Sequence, residues 1–342
     1  MTITACVVAA WMSCHISITK ALALERFEFR QPHLGTIVDL TLYAPDEAVA
    51  NDSAQAAFQR IKELNKILSD YLPDSEAMRL CQTAGTGQAV QISPELYEVL
   101  EKSLEIANLS DGAFDVTLGP VIQLWRSARK QGKLPSRELL EAARERVGWQ
   151  NIVLNPQERT AELRIKGMML DFGGIAKGYI ADHARAILQK RGIRRCLVSV
   201  AGDISAGDPP PDRVGWRIGI APLDKPDGEP SRFLQLQNCS VSTAGDAFQF
   251  IEIDGVRYSH IVDPGTGLGL TRRSSVTVVA PQGVLADGLD TAVCILGPER
   301  GLQLIERFKG AEALIVIATE NGQKTIESSG LSKYLQAPGD AQ

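Results

Sequence analysis

The stretch Asp171-Phe-Gly-Gly-Ile-Ala-Lys-Gly178 gathers an acid, a lysine and three glycines, and is entered from the apolar Met168-Met169-Leu170. On a strand-to-helix turn such glycines leave backbone amides bare and let an anionic ligand come close. The pattern is neither the Gly-Lys-Ser/Thr of a Walker loop nor a G-x-G-x-x-G fingerprint, which disfavours an ordinary ATPase or nicotinamide enzyme. A tight turn with Lys177 in water fits the spacing equally well. A second segment, Ala286-Asp-Gly-Leu-Asp-Thr-Ala292, reads as helix. Asp287 and Thr291 are then four apart on one face, and a carboxylate beside a hydroxyl suits a hard cation such as magnesium. Asp290 is a further or outer ligand on that reading. The plainer one is that Asp287 caps the helix and Asp290 is solvated.

Two more segments carry usable groups. His260, in Tyr258-Ser-His-Ile-Val-Asp-Pro-Gly-Thr-Gly267, lies on a hairpin strand running into an Asp-Pro-Gly turn. It is placed to act as a base near neutral pH, or equally to be a half-buried strand histidine bonded to backbone. In Asp111-Gly-Ala-Phe-Asp-Val-Thr-Leu-Gly-Pro120, with Trp125 just beyond, an aromatic beside Asp115 could cradle a flat ring. Phe114 in the core after a helix-ending Gly112 explains the same residues.

These segments need a scaffold. An alternating strand is expected over 36–42, with Ile37 or Val38 inward. A helix over 52–68 follows, with Ala54, Ala57, Phe58, Ile61, Leu64 and Leu68 as its buried stripe and Asp52 or Ser53 as N-cap. Further helices are expected after Ser93-Pro94 (Leu96, Val99, Leu100, Leu104 and Ala107 inward), over 136–147, and over 175–190, where Gly192 ends it. Strand composition dominates later, at 196–201, 216–221, 248–253, 256–262, 275–280 and 313–318. Asp254-Gly255 and Asn321-Gly322 read as two-residue hairpin turns. Helices and antiparallel hairpins in separate runs argue for an α+β fold.

The 342 residues, 44% hydrophobic and 23% charged, describe an ordinary globular chain. A net charge of −5, with the densest basic run (Lys190, Arg191, Arg194, Arg195) at a helix end, argues against a nucleic-acid partner. Residues 3–18 are mostly apolar, and Ala21-Leu22-Ala23 matches the small-x-small rule, so 1–23 reads as a leader of an exported, periplasmic protein. The expected leader has no Lys or Arg before Lys20, and Trp11-Met12-Ser13-Cys14 faintly resembles a lipoprotein box. Membrane association would come through this leader only. Past it, Cys81, Cys196, Cys239 and Cys294 form no CxxC pair; buried free thiols are expected, with a disulfide left open. The body is expected over 24–335, with 336–342 a loose tail.

Taken in order, the motifs resemble one family, the FAD:protein FMN transferases or ApbE-like proteins. The resemblance runs from Leu34-Gly-Thr36 through Tyr71, Ser75-Glu76, Gly112-Ala-Phe-Asp-Val-Thr117 and Asp171–Tyr179 to Ala201-Gly-Asp-Ile204. It continues through Ser242-Thr-Ala-Gly-Asp246, His260-Ile-Val-Asp-Pro264 and Ala286–Ala292. It implies a T-fold-like architecture of two intimately packed subdomains. FAD contacts would fall on Leu34, Tyr71, Ala113, Phe114, Asp115, Asp171, Lys177 and Ile261. A magnesium site would use the Gly174 carbonyl, Asp287, Thr291 and Asp290, and His260 would serve the transfer step. Apart from the resemblance, Asp263 is expected to orient His260. The implied reaction moves FMN from FAD to a threonine or serine hydroxyl of an acceptor flavoprotein and releases AMP. The alternatives are an FAD pyrophosphatase releasing FMN and AMP, and a non-catalytic FAD-binding export protein. The chain departs from the family pattern at Leu34 (usually Met), Ala201 (Gly), Ala244 (Ser) and Gly265 (Arg or Lys); the last two leave the acceptor open.

Overall fold

The computed structural model describes residues 23–225, 227–230, 232–246 and 249–335. The expected tail, and the expected leader apart from its last residue, lie outside the described residues. In chain order the elements are β1 (Glu25–His33), β2 (Thr36–Ala44), α1 (Glu47–Leu68), α2 (Glu76–Gln82), β3 (Val90–Gln91), α3 (Pro94–Leu109), α4 (Gly119–Gln131) and α5 (Arg137–Arg144). Next come β4 (Ile152–Asn155), β5 (Thr160–Leu163), α6 (Ala176–Lys190), β6 (Cys196–Val200), β7 (Asp203–Ala206), β8 (Trp216–Ile220), β9 (Arg232–Leu236) and β10 (Cys239–Gly245). The chain closes with β11 (Phe250–Ile253), β12 (Val256–Ser259), β13 (Ser274–Ala280), α7 (Gly283–Leu296), α8 (Pro298–Ile305), β14 (Glu312–Thr319) and β15 (Gly322–Glu327).

Eight strands form one sheet in the order β1-β2-β6-β7-β10-β13-β14-β15. Every pairing in it is antiparallel, as an α+β chain requires. The period-2 pattern of β2 puts Val38, Leu40, Leu42 and Ala44 in the core and leaves Ile37 44% exposed, so Val38 is the inward residue. Helices α1, α6 and α7 cover one face of the sheet. The β8–β9 hairpin covers part of the other, with Trp216, Leu234 and Leu236 packed against Val241, Val279 and Leu314. Strand β13 is therefore buried along its whole length, which explains its unbroken run of β-branched and small residues. A third cluster joins α4 and α5 to Val262, Tyr258 and Ile251 near the β11–β12 hairpin, fixed by Trp125 Nε1 donating to the Gly267 carbonyl at 2.6 Å.

Helix α1 begins earlier than expected. Asp46, not Asp52 or Ser53, is its cap and accepts from the Val49 amide at 2.8 Å, because a further turn carrying Val49 and the buried Ala50 extends the apolar stripe toward the N-terminus. Ser93 and Ser136 cap α3 and α5 as their sequences suggest, but α5 stops at Arg144, and Leu104 of α3 is only partly buried. Asp254-Gly255 turns with both residues at positive φ, as a primed turn needs. In the β14–β15 hairpin the two turn residues are Glu320 and Asn321, since Gly322 already pairs with Thr319. The four described cysteines are free thiols, and burial pushes Cys81 to about 11 and Cys196 to about 12, which makes them inert. Among the described residues no helix is long and apolar enough to cross a membrane.

Candidate active site

A cleft of about 520 Å³ opens between the glycine turn before α6, the start of α4, the end of β10, the β11–β12 hairpin and α7. Every residue predicted to bind FAD or metal or to act on substrate lines it except Leu34, and Asp263, expected to orient His260, does not line it either. Leu34 lies in the β1–β2 turn with φ 56°, packed against the core rather than on the cleft wall. A leucine there gives up a favoured backbone region, a cost its partial burial helps offset.

The floor is acidic and closed. Asp203, Asp287 and Asp290 are 4%, 2% and 1% exposed, and one carboxylate oxygen of each lies within 4.8 Å of the others. Asp287 sits in the second turn of α7, too deep to cap that helix; it reaches across to α6 instead. Its Oδ2 accepts from the Gly178 amide at 3.0 Å, and its Oδ1 from Lys177 Nζ at 3.1 Å. Lys177 Nζ also pairs with Asp203 at 2.5 Å, so the lysine is engaged rather than solvated. Burial alone would depress its ammonium, but Asp203 and Asp287 outweigh it and hold the pKa above the ordinary value. Asp290 is likewise buried, not solvated. Ser242 Oγ stands between Asp203 and Asp290, at 2.5 Å from the latter. A single hydroxyl hydrogen cannot serve two carboxylates, so one contact requires a proton or cation of its own. Burial, reinforced by Asp203, pushes Asp287 up to about 6. Burial and the neighbouring Asp287 and Asp203 drive Asp290 well above the carboxylate range.

Three buried carboxylates against one ammonium leave a negative excess that only protons or a hard cation relieve, and all the donors are oxygens. The Gly174 backbone presses on Thr291, since a Cβ on Gly174 would lie 2.9 Å from Thr291 Oγ1. Gly174, Thr291, Asp287 and Asp290 thus converge, and this donor set fits a magnesium-like ion. Asp203 belongs to the same cluster and was invisible as a ligand in sequence. Its only signal was the motif Ala201-Gly-Asp-Ile204, to which residue types alone attach no role.

The wall above the floor mixes charge with aromatic surface. Asp171 Oδ1 accepts from Gly173 N at 2.8 Å and closes the glycine turn, while its Oδ2 pairs with Arg126 at 2.9 Å. Burial, with Asp70 adding repulsion, raises Asp171 to about 6. Arg126 also pairs with Asp70 and lies 4.2 Å over the ring of Tyr71, which is 73% exposed at the mouth. Arg126 comes from α4, a helix the sequence reading lacks, so its place in the cleft had no local signal. Asp115 is held by Thr117 (amide 2.8 Å, hydroxyl 2.6 Å) and by the Trp149 amide at 3.2 Å, and burial raises its pKa. It shapes the loop that presents Ala113 and Phe114.

His260 stands on the opposite wall beside Ile261. Its Nδ1 lies 3.1 Å from the Gln249 carbonyl, which makes Nδ1 the protonated nitrogen and leaves Nε2 as an acceptor. Asp263 is not its orienting partner, because Asp263 Oδ1 accepts from the Gly265 amide at 2.8 Å and is spent on the turn. Desolvation, joined by the nearby cations Lys177 and Arg129, lowers the His260 pKa, so the ring is neutral at pH 7.

The model of the ApbE family matches residues 34–315. An FAD:protein FMN transferase of Treponema pallidum is 32% identical over 298 residues, spanning 83% of this chain and 82% of that protein. One from Escherichia coli K12 is 30% identical over 277 residues, spanning 79% and 78%. The flavin transferase ApbE of Vibrio cholerae superposes with a TM-score of 0.82 at 30% identity, covering 91% of this chain and 100% of that one. The apo flavinyl transferase ApbE of Pseudomonas stutzeri gives 0.81 at 30% identity, covering 93% and 99%.

Proposed function

This chain belongs to the ApbE family, and from that membership together with the cleft we propose that it is an FAD:protein FMN transferase, moving FMN from FAD onto a hydroxyl of an acceptor flavoprotein and releasing AMP. The acceptor hydroxyl is that of a threonine or serine, and the metal is magnesium. The observation that carries the reading is the buried Asp203–Asp287–Asp290 cluster beside Lys177 on the floor of an aromatic-rimmed cleft. Simple retention of FAD gives no reason to bury three acids there.

A magnesium ion held by Asp287, Asp290, Thr291 and the Gly174 carbonyl would draw charge from the pyrophosphate and stabilise the leaving AMP. Lys177 adds a fixed positive charge at the same end, and Tyr71, Phe114 and Ile261 offer the flat surfaces a flavin needs. The acceptor oxygen attacks the FMN-side phosphorus and the bond to the AMP oxygen breaks. His260 Nε2 takes the hydroxyl proton, its Nδ1–H meanwhile held by the Gln249 carbonyl. The apolar segment 3–18 and the Ala21-Leu22-Ala23 site support export to the periplasm with the leader removed, which N-terminal sequencing of the native protein tests.

The function is tested by incubating the protein with FAD, magnesium and a threonine-bearing acceptor domain, then weighing the acceptor and assaying nucleotides. An FMN-sized mass gain with stoichiometric AMP is expected. Free FMN and AMP with an unmodified acceptor would make the protein a pyrophosphatase, and intact FAD would reduce it to a binder.

A further inference from the structure

Behind the acidic floor stands Asp182, which does not line the cleft and has no part in the chemistry above. It lies one turn beyond Gly178 on α6, on the same face of that helix. At Gly178 the backbone of α6 meets that of α7 directly, beside the Asp287 side chain. A Cβ on Gly178 would come 2.0 Å from the Gly283 carbonyl oxygen, and one on Gly283 would come 2.3 Å from that of Gly178. Asp182 secures this crossing. Its Oδ2 accepts from the Gly283 amide at 2.5 Å, which supplies α7 with the N-terminal cap that Gln282 does not provide. Its Oδ1 accepts from Ser205 Oγ of β7 at 2.5 Å and from Ser240 Oγ of β10 at 2.7 Å. Arg185 Nε in turn donates to Ser205 at 2.7 Å.

Each partner sits one structural period from a floor residue. Gly283 is one helical turn before Asp287; Ser205 is two strand positions after Asp203; Ser240 is two before Ser242, whose hydroxyl stands between Asp203 and Asp290. One carboxylate therefore ties together α6, α7, β7 and β10, the four elements whose spacing sets the distances among the floor oxygens. Charge-assisted hydrogen bonds to three donors hold that spacing more firmly than apolar contact does.

We propose that Asp182 is a positioning residue for the cation site, setting the spacing of Asp203, Asp287 and Asp290 and with it the affinity for a divalent ion. The inference rests on the cation-site reading above. Asp182→Asn keeps the volume but removes the charge and replaces one acceptor oxygen by an amide that cannot accept, so the Gly283 amide or the Ser205 and Ser240 hydroxyls lose their acceptor. Magnesium and manganese binding to the full chain, without FAD, is measured by calorimetry for wild type and variant, alongside thermal melts. Outer-shell partners of metal ligands typically contribute about 10- to 100-fold in affinity, and a loss of that size is expected. At saturating magnesium, kcat and the KM for FAD should stay within about threefold, because no residue touching substrate has changed. Equal cation affinity in the two proteins, even with a lower melting temperature for the variant, overturns the proposal by reducing Asp182 to a structural residue. A wild type that binds neither ion overturns the cation-site reading itself, and the proposal with it. Should Asp182→Asn fail to fold, the Ser205→Ala/Ser240→Ala double variant decides: a several-fold loss of cation affinity upholds the proposal and an unchanged affinity refutes it.

Discussion

On the cleft floor Asp203, Asp287 and Asp290 are each at most 4% exposed, with every neighbour fixed by the α6–α7 crossing and β10. At the rim Tyr71 is 73% exposed, Phe250 is 39% exposed, and His260 is held by one backbone carbonyl. Both regions carry groups the proposed reaction uses, yet they are built differently. Floor groups have no water to replace a lost partner, so each substitution there leaves a charge or a polar atom stranded. Rim groups border solvent, and water takes over most contacts they lose. The floor should therefore respond to substitution in binding and stability together, and the rim in rate or affinity alone.

The sharpest break of that contrast would come from Asp287. Asp287→Ala removes the central floor acid, and magnesium binding by calorimetry and FMN transfer by acceptor mass are both expected to vanish. Residual metal-dependent transfer would show that the floor is not the cation site. Next in size is His260→Ala, expected to lower kcat by about 10²- to 10⁴-fold while melting temperature and cation affinity stay near wild type. A His260 variant that also lost its cation would erase the division between floor and rim.

The third expectation concerns protons. Asp287 titrates at about 6 in the folded protein, whereas an ordinary aspartate titrates at 3.8. Between those values the folded chain binds more protons than the unfolded one, so the contribution of this group to stability falls as pH rises from about 4 to about 6. Measured by denaturant titration without metal, wild type should lose stability relative to Asp287→Asn across that window and hold a constant difference above it. A wild type that instead gained stability relative to Asp287→Asn as pH rose would mean Asp287 is stabilised as an anion, contrary to the burial argument. The smallest effect is expected at the mouth. Tyr71→Ala should weaken FAD binding by about 0.5–1.5 kcal/mol, read from fluorescence titration, with no measurable change in melting.

How far the sequence disclosed this contrast follows from the range of the interactions involved. Asp287 and Thr291 share a helix face through local periodicity, and the glycines around Lys177 mark a turn whatever surrounds them. Both readings needed no tertiary information, and both residues reach the cleft. Asp203 and Ser242 join the floor only because β7 and β10 pair antiparallel beside α7, a long-range fact that no local pattern encodes. His260 was legible as a usable group and does line the cleft, but its partner is the Gln249 carbonyl rather than Asp263, because an Asp before Pro-Gly serves its own turn. Helix α4 escaped notice because it opens on Gly119-Pro120, residues that punctuate loops as readily as they start helices, and Arg126 escaped with it. Likewise the first turn of α1 adds only Val49 and Ala50 to the apolar stripe, and the hydrogen bond from Val49 to Asp46 is what marks its start.

The bare backbone contact between Gly178 and Gly283 has a consequence in time as well as in space. Where the two glycine backbones touch there are no rotamers to choose among, so that point of the crossing needs no rearrangement to admit an ion. Less backbone ordering is then left to lose in assembling the donors, and the proposed magnesium ion would meet carboxylates already gathered on the floor. Its entry would then be limited more by the reluctant shedding of its own hydration shell than by movement of the two helices.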